Sequence, residues 1–130
     1  MAYVHLIAAL AVLQYLLFVV LVGRARMRYG VKAPAVTGNA SFERAYRVQM
    51  NTLEQLIAFL PVLLLAGVYW PGHWVALIGL VWIVGRFLYR YQYVTNPASR
   101  GPGFILTLLP TVVLLALTLW GVLRQLFLPV

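Results

Sequence analysis

The chain has 130 residues, of which 64% are hydrophobic and 9% are charged, with a formal net charge of +8. A soluble domain usually carries about 25% charged residues, so this composition excludes an ordinary soluble fold. The absence of Cys excludes disulfides, thiolate metal ligands and a cysteine nucleophile, and the wide separation of His5 and His73 predicts no metal site.

Four apolar segments are each long enough to cross a bilayer core of about 30 Å as a helix. The first is interrupted only by His5 and Gln14. A cleaved signal peptide fits it poorly, because no basic region precedes it and basic residues follow it. The sequence therefore predicts a single domain over residues 1–130, an all-α integral membrane bundle of four transmembrane helices. Their expected bounds are about residues 3–24, 42–69, 74–93 and 103–126.

Basic residues are concentrated at one end of the predicted bundle. Nine of the ten Lys and Arg lie in the first and third loops or at the adjoining helix ends, and Arg124 lies at the other end. The positive-inside rule predicts both loops in the cytoplasm and both termini on the opposite side, with the inner membrane as the location if the source is bacterial. The net charge of +8 is then explained by the orientation of the chain in the membrane and by a binding site. The lack of a nucleic-acid-binding motif predicts no nucleic-acid partner.

The first half of the second predicted helix carries the two acidic residues of the chain, Glu43 and Glu54. At about 100° per residue, these carboxylates, Arg47 and Asn51 fall within about 80° of one another on one helix face. Polar side chains within a membrane-spanning segment are tolerated when they face a bundle interior or a water-filled cavity, and they are functional candidates. The alternative is that Arg47 and Glu54 form only a structural ion pair between helices.

Further polar residues are expected at the same membrane level. One face near the end of the third helix carries Arg86, Tyr89 and Tyr93. Arg100 lies in the loop that follows, and Arg26 ends the first helix. Together with the polar face of the second helix, these residues predict a cationic, tyrosine-lined pocket with one carboxylate, open to water and to lipid. Such a pocket suits a small polyanion with one amine that acts on an apolar partner, although the tyrosines are also typical of an interfacial aromatic belt.

Two segments resemble sequence signatures of the MAPEG family, the membrane-associated proteins of eicosanoid and glutathione metabolism. They are residues 42–54, FERAYRVQMNTLE, and residues 34–38, PAVTG. The resemblance extends over nearly the whole chain, including helix number and loop lengths. Within the family it is greatest to the branch of the leukotriene-forming synthase and the type two microsomal glutathione transferase.

The resemblance implies a homotrimer that binds glutathione between subunits near the cytosolic face, while a lipophilic substrate arrives from the bilayer lipid. It implies a glutathione S-transferase that activates the thiol as a thiolate and conjugates it to lipophilic electrophiles or reduces lipid hydroperoxides. Glutathione is then the co-substrate, and no metal is needed. Arg100 matches the family arginine that stabilises the thiolate, and is the expected catalytic residue. The expected glutathione contacts are Arg47, Asn51, Glu54, Tyr89, Tyr93 and Arg100, with Arg26 and Gln49 from a neighbouring subunit.

Two positions depart from the family pattern. Met27 stands where the synthase has an arginine assigned as a proton donor, and Gln55 stands where it has a tyrosine. These departures argue against leukotriene-type epoxide opening and leave the expectation of thiolate formation unaffected. Two alternative functions are a non-catalytic lipid-binding or scaffold member of the family and a small four-helix exporter. Retention of Arg100 argues against the first, and Glu54 lies too near one membrane surface to suit the second.

Overall fold

The computed structural model describes residues 1–128, and within them the chain forms four long α-helices and one short 3-10 helix. Each α-helix is long and apolar enough to cross a membrane, which confirms the predicted all-α multi-pass architecture. The elements in chain order are α1 (Ala2–Tyr29), α2 (Ala40–Tyr69), α3 (Gly72–Thr95), the 3-10 helix (Pro97–Ser99) and α4 (Gly101–Phe127).

The first helix, α1, continues past its predicted end near residue 24 by more than one turn. Gly30 then adopts the left-handed conformation with φ 70°, and the N–H of Val31 donates to the carbonyl of Arg26 at 3.1 Å. This is the Schellman-type ending that glycine favours. Arg24, Arg26 and Arg28 therefore project from a helix rather than from a loop.

The start of α2 is fixed by a side-chain cap. The Oδ1 of Asn39 accepts a hydrogen bond from the N–H of Phe42 at 3.0 Å. Glu43 lies in the first turn, where its charge complements the positive helix end, and its Oε2 accepts from the N–H of Gly38 at 3.3 Å. These contacts fix the residue at which α2 begins.

The last two helices approach each other closely because glycines face the partner helix at two levels. A Cβ at Gly85 would lie 2.7 Å from the Cβ of Leu106, and a Cβ at Gly103 would lie 2.5 Å from the backbone of Tyr89. Real side chains do not tolerate such separations, so both positions require the absence of a side chain. At Gly103 the start of α4 is thereby pressed against the tyrosine-bearing end of α3.

The main apolar core lies in the half of the bundle that contains the N terminus and the turn between α2 and α3. At its centre the fully buried rings of Phe59 and Trp82 stack with centroids 4.3 Å apart and an interplanar angle of 6°. Large apolar side chains also cover the outer helix faces, as expected for surfaces that contact lipid or another subunit. Polar side chains are left to gather in the opposite half of the bundle.

Candidate functional site

A cavity of about 410 Å³ opens where α2, α3 and the start of α4 meet. Five of its six lining residues were predicted as ligand contacts from the sequence. The lining consists of Arg47, Asn51, Tyr89, Tyr93, Arg100 and Phe104. Two guanidinium groups, two phenols and one amide therefore converge on one space, together with the apolar ring of Phe104.

Beneath this cavity lies Arg86, whose side chain is fully buried. Its Nη2 donates to the Oδ1 of Asn51 at 3.0 Å and to the Oγ1 of Thr52 at 2.9 Å. The hydroxyl of Thr52 in turn donates to the carbonyl of Val48 at 2.7 Å. Because the Asn51 oxygen is already engaged, its amide N–H groups remain as donors toward a ligand in the cavity.

The buried guanidinium also supports the tyrosine wall of the cavity. The Arg86 Cζ lies 4.2 Å from the centroid of the Tyr89 ring, within cation–π distance. The Tyr89 ring in turn stacks on Tyr93, with centroids 5.7 Å apart and an interplanar angle of 28°. Arg86 therefore positions Asn51 and Tyr89 at the same time, one from α2 and one from α3.

The charge of Arg86 has no carboxylate partner among the described residues. Both of its hydrogen bonds go to neutral side chains, and its Nε and Nη1 are buried without a hydrogen-bond partner. Such a group is costly to bury in a membrane bundle and marks a functional candidate. An uncompensated cation beneath a cavity that already holds Arg47 and Arg100 favours anionic ligands.

Arg100 is placed at the cavity by the turn between α3 and α4. Asn96 caps the short 3-10 helix, because its Oδ1 accepts a hydrogen bond from the N–H of Ala98 at 3.2 Å. The Nη1 of Arg100 donates to the carbonyl of Pro97 at 2.9 Å, while the side chain stays exposed. Arg100 is therefore held by an ordered turn and remains accessible to a bound molecule.

Three of the eight predicted contact residues do not line this cavity. Glu54 is exposed on α2, and the Nε2 of Gln49 donates to the hydroxyl of Tyr15 at 3.4 Å. The Nη1 of Arg26 donates to the carbonyl of Ala35 at 2.7 Å. Within one chain, the structure thus brings together five of the predicted residues and places Arg26, Gln49 and Glu54 elsewhere.

From the sequence, Arg86 was placed among the polar residues of the predicted pocket but not among the expected ligand contacts, and Thr52, Gln92 and Phe104 were not singled out. For Arg86 a signal existed, because it shares a helix face with Tyr89 and is a lone charge in an apolar stretch. Gln92 acts behind the cavity, where its Oε1 accepts from the N–H of Gly103 at 3.0 Å and satisfies the start of α4. Thr52 and Phe104 gave no comparable signal.

The arrangement suits binding of an anionic molecule that carries carboxylates. Guanidinium groups bind carboxylates through two parallel hydrogen bonds and stay charged when partly buried. In the described part of the chain, no three His, Cys, Asp or Glu side chains are grouped so that they could share a metal ion. The groups at the cavity are instead cations and neutral donors.

Comparison with known proteins identifies relatives along almost the whole chain. The model of the MAPEG family matches residues 4–120. An uncharacterized protein of Synechocystis is 48% identical over 121 residues, covering 93% of this chain and 88% of that protein. Microsomal glutathione S-transferase 2 of Homo sapiens is 40% identical over 121 residues, covering 91% of this chain and 80% of that protein. Leukotriene C4 synthase of Cavia porcellus is 37% identical over 123 residues, covering 95% of this chain and 81% of that protein.

Proposed function

The chain belongs to the MAPEG family, and we propose that it is a membrane-bound glutathione transferase that ionises the glutathione thiol and conjugates it to lipophilic electrophiles. The same thiolate also reduces lipid hydroperoxides. The observation that carries this proposal is the convergence of Arg47, Asn51, Tyr89, Tyr93 and Arg100 on one cavity. Names of relatives in the family, glutathione S-transferase and leukotriene C4 synthase, support the choice of reaction class.

Glutathione carries two carboxylates, one ammonium group and one thiol, and the cavity offers complementary groups. Arg47 is suited to grip a carboxylate with paired hydrogen bonds. The amide N–H groups of Asn51, fixed by Arg86, are available to a second acceptor on the tripeptide. The stacked rings of Tyr89 and Tyr93 supply a wall against which the peptide backbone packs.

Arg100 is assigned the catalytic role, as the group that stabilises the thiolate. A free thiol has a pKa near 8.5, so only a few per cent is ionised at neutral pH, and a neighbouring guanidinium lowers that pKa. In conjugation, the thiolate sulfur forms a bond to the electrophilic carbon, and the leaving group departs with its electron pair. In peroxide reduction, the sulfur attacks one peroxide oxygen, the lipid alcohol leaves, and a second glutathione converts the sulfenic acid to a disulfide and water. Neither reaction needs a metal ion.

We further propose that the glutathione site is completed between the subunits of a homotrimer. Glu54 is exposed in the isolated chain, and Arg26 and Gln49 lie outside the cavity. If all three contact the ligand, a second copy of the chain has to bring them there. Glu54 would then pair with the tripeptide ammonium, and Arg26 and Gln49 would reach the site from the neighbouring subunit. The apolar outer helix faces supply surface for both subunit contacts and lipid.

The proposed orientation places the cavity at the cytoplasmic side. Arg47 and Arg100 belong to the end of the bundle that carries nine of the ten basic residues. Glutathione would enter from the water there, and the lipophilic substrate would enter from the bilayer.

The decisive experiment measures turnover by the purified protein. We expect glutathione-dependent release of chloride from a chloronitrobenzene electrophile and glutathione-dependent reduction of a fatty acid hydroperoxide. Absence of both reactions in a protein that still binds glutathione would favour the non-catalytic lipid-binding alternative. Absence of glutathione binding, with transport of a solute into vesicles, would favour the exporter.

A further inference from the structure

A second cationic site lies on a different side of the bundle from the glutathione cavity. It is a groove of about 660 Å³ between the end of α1, the start of α2 and the end of α3. Three of its lining side chains are the arginines Arg24, Arg28 and Arg90. Among the described residues, the groove and the glutathione cavity have no lining residue in common.

The two α1 arginines point away from the residue assigned to glutathione. Arg24 and Arg28 are four positions apart and so lie on one helix face. Arg26, about 200° from Arg24 around the helix, turns to the first loop, where it donates to the carbonyl of Ala35. The groove is therefore formed by the side of α1 that the proposed intersubunit site does not use.

The third arginine is partly buried against one aromatic side chain. The Cζ of Arg90 lies 5.7 Å from the ring centroid of Phe18, and its Nη1 is buried without a hydrogen-bond partner in the described part of the chain. A buried donor of this kind lacks the compensation that water or a partner would provide. An acceptor bound in the groove would supply it.

Within residues 1–128, no carboxylate neutralises the groove. The chain has two acidic residues, Glu43 and Glu54, and neither is among the lining residues in the described part of the chain. Glu43 accepts the N–H of Gly38 instead. Three guanidinium groups around one space, without a counter-charge from the protein, favour an anion with several acceptor oxygens.

Apolar residues lie one turn deeper toward the bilayer interior. Leu21 lies below Arg24 on α1 and lines the groove itself. Phe87 lies below Arg90 on α3 and lines an adjoining groove of about 360 Å³, which shares Arg90 and Val94 with the first. A ligand that follows both grooves has its anionic group at the arginines and an apolar chain against Leu21 and Phe87.

We propose that this groove binds the phosphate group of an anionic phospholipid, with an acyl chain along the α3 face. Basic pockets between transmembrane helices at the cytoplasmic membrane surface are suited to such head groups. Phosphate offers more acceptor oxygens than a fatty acid carboxylate, and three guanidinium groups match it better. A fatty acid anion, which shares the negative charge and the chain, is the competing ligand that the test has to separate.

The test is native mass spectrometry of the detergent-purified full chain with added phosphatidylglycerol, phosphatidylcholine or oleate. We expect selective retention of phosphatidylglycerol and about a 25-fold weakening in the Arg24→Gln/Arg28→Gln variant, since each of the two cations near a head group contributes about fivefold. The matched control is Lys32→Gln/Arg124→Gln, which removes the same charge from exposed positions outside the groove. Unchanged glutathione turnover in both variants shows that the bundle is intact.

Three results would overturn the proposal. The first is equal retention of phosphatidylglycerol by the Arg24→Gln/Arg28→Gln variant and the unaltered protein. The second is an equal loss in the Lys32→Gln/Arg124→Gln control, which would reduce the effect to net charge. The third is displacement of phosphatidylglycerol by equimolar oleate in the unaltered protein, which would identify a carboxylate site.

Discussion

Arg86 on α3 donates a 3.0 Å hydrogen bond to the side-chain oxygen of Asn51 on α2, directly beneath the ligand cavity. The donor is fully buried and the acceptor lines the cavity. Through this contact a charge inside the bundle fixes the orientation of an amide that faces the ligand. The same guanidinium supports the Tyr89 ring from below. The binding surface is therefore organised by a residue that does not itself line it.

Replacing Arg86 by Leu is expected to weaken glutathione binding. The change frees the Asn51 amide to rotate and removes the cation–π support of Tyr89. A rotated Asn51 amide no longer donates to the charged acceptor on the ligand. Hydrogen bonds that involve a charged group contribute about 1.5–3 kcal/mol each, so a loss of roughly tenfold or more in glutathione affinity is expected. Isothermal titration of glutathione measures it, with thermal unfolding as the check on folding. Equal affinity in a folded Arg86→Leu protein would contradict the positioning role, and Arg124→Leu serves as the control at an exposed arginine.

Much of the architecture and part of the site follow from local sequence properties. The four helices are evident because each apolar segment matches the thickness of a bilayer. Asn51, Tyr89 and Tyr93 could be placed at one level because helical spacing and segment ends fix their height along the bundle. The length of α1 was underestimated, since the polar residues after position 22 suggested a loop and Gly30 supplies the actual ending.

The remaining features depend on how the helices are rotated against one another. Spacing alone puts Arg86 on the same face as Tyr89, but its bonds to Asn51 and Thr52 exist only once α2 and α3 have packed. The hydrogen bond from the Gly103 N–H to Gln92 likewise requires the close contact of α3 and α4. Such contacts join residues far apart in the chain, and no local pattern encodes them.

Removing Arg47 and neutralising Glu54 are both expected to weaken glutathione binding, but for different structural reasons. Arg47 lines the cavity of a single chain, whereas Glu54 is exposed there. The loss of one charged partner from a partly buried contact typically costs about 2–5 kcal/mol. Glutathione titration of the folded Arg47→Ala and Glu54→Gln proteins measures each loss. An unchanged affinity in Glu54→Gln would remove this carboxylate from the ligand contacts.

The subunit arrangement predicts that two inactive variants complement each other. If Arg26 reaches the cavity of a neighbouring subunit, Arg26→Ala and Arg100→Ala damage the same site from different chains. In randomly mixed trimers with cyclic symmetry, about a quarter of the sites then combine two undamaged contributions. Co-expression followed by a conjugation assay should recover roughly that fraction of activity. No recovery in mixed trimers, identified by native mass spectrometry, would place both arginines in one chain's site.

The distribution of basic residues predicts that the first loop faces the cytoplasm. Because the chain has no native Cys, a single introduced thiol reports its own location. Val36→Cys, at an exposed position in that loop, should be labelled by a membrane-impermeant maleimide only after the cells are opened. His73→Cys, exposed beside the turn between α2 and α3, is the matched position for the opposite side and should be labelled in intact cells. The reverse pattern would invert the topology.

Replacing Arg100 by Ala is expected to remove most turnover while sparing much of the glutathione affinity. The side chain is exposed at the cavity, and the ligand must supply the sulfur because the chain contains no Cys. Arg47 and Asn51 still bind the rest of the tripeptide, so the loss should appear in kcat rather than in KM. Thiolate absorbance during glutathione titration reports the ionisation directly, with turnover measured in parallel.

The size of the Arg100 effect follows from the thiol equilibrium. Each unit by which the bound thiol pKa is lowered corresponds to about 1.4 kcal/mol of preferential thiolate stabilisation. Without the guanidinium, the pKa of bound glutathione should rise toward its value in water, and the thiolate signal at neutral pH should fall to a few per cent. Raising the pH should then restore part of the activity of Arg100→Ala, and Arg100→Lys, which keeps the charge, should retain more of it at neutral pH. An Arg100→Ala protein with the original thiolate absorbance and conjugation rate would exclude this arginine from thiolate formation, since removing the charge would have left the ionisation unchanged.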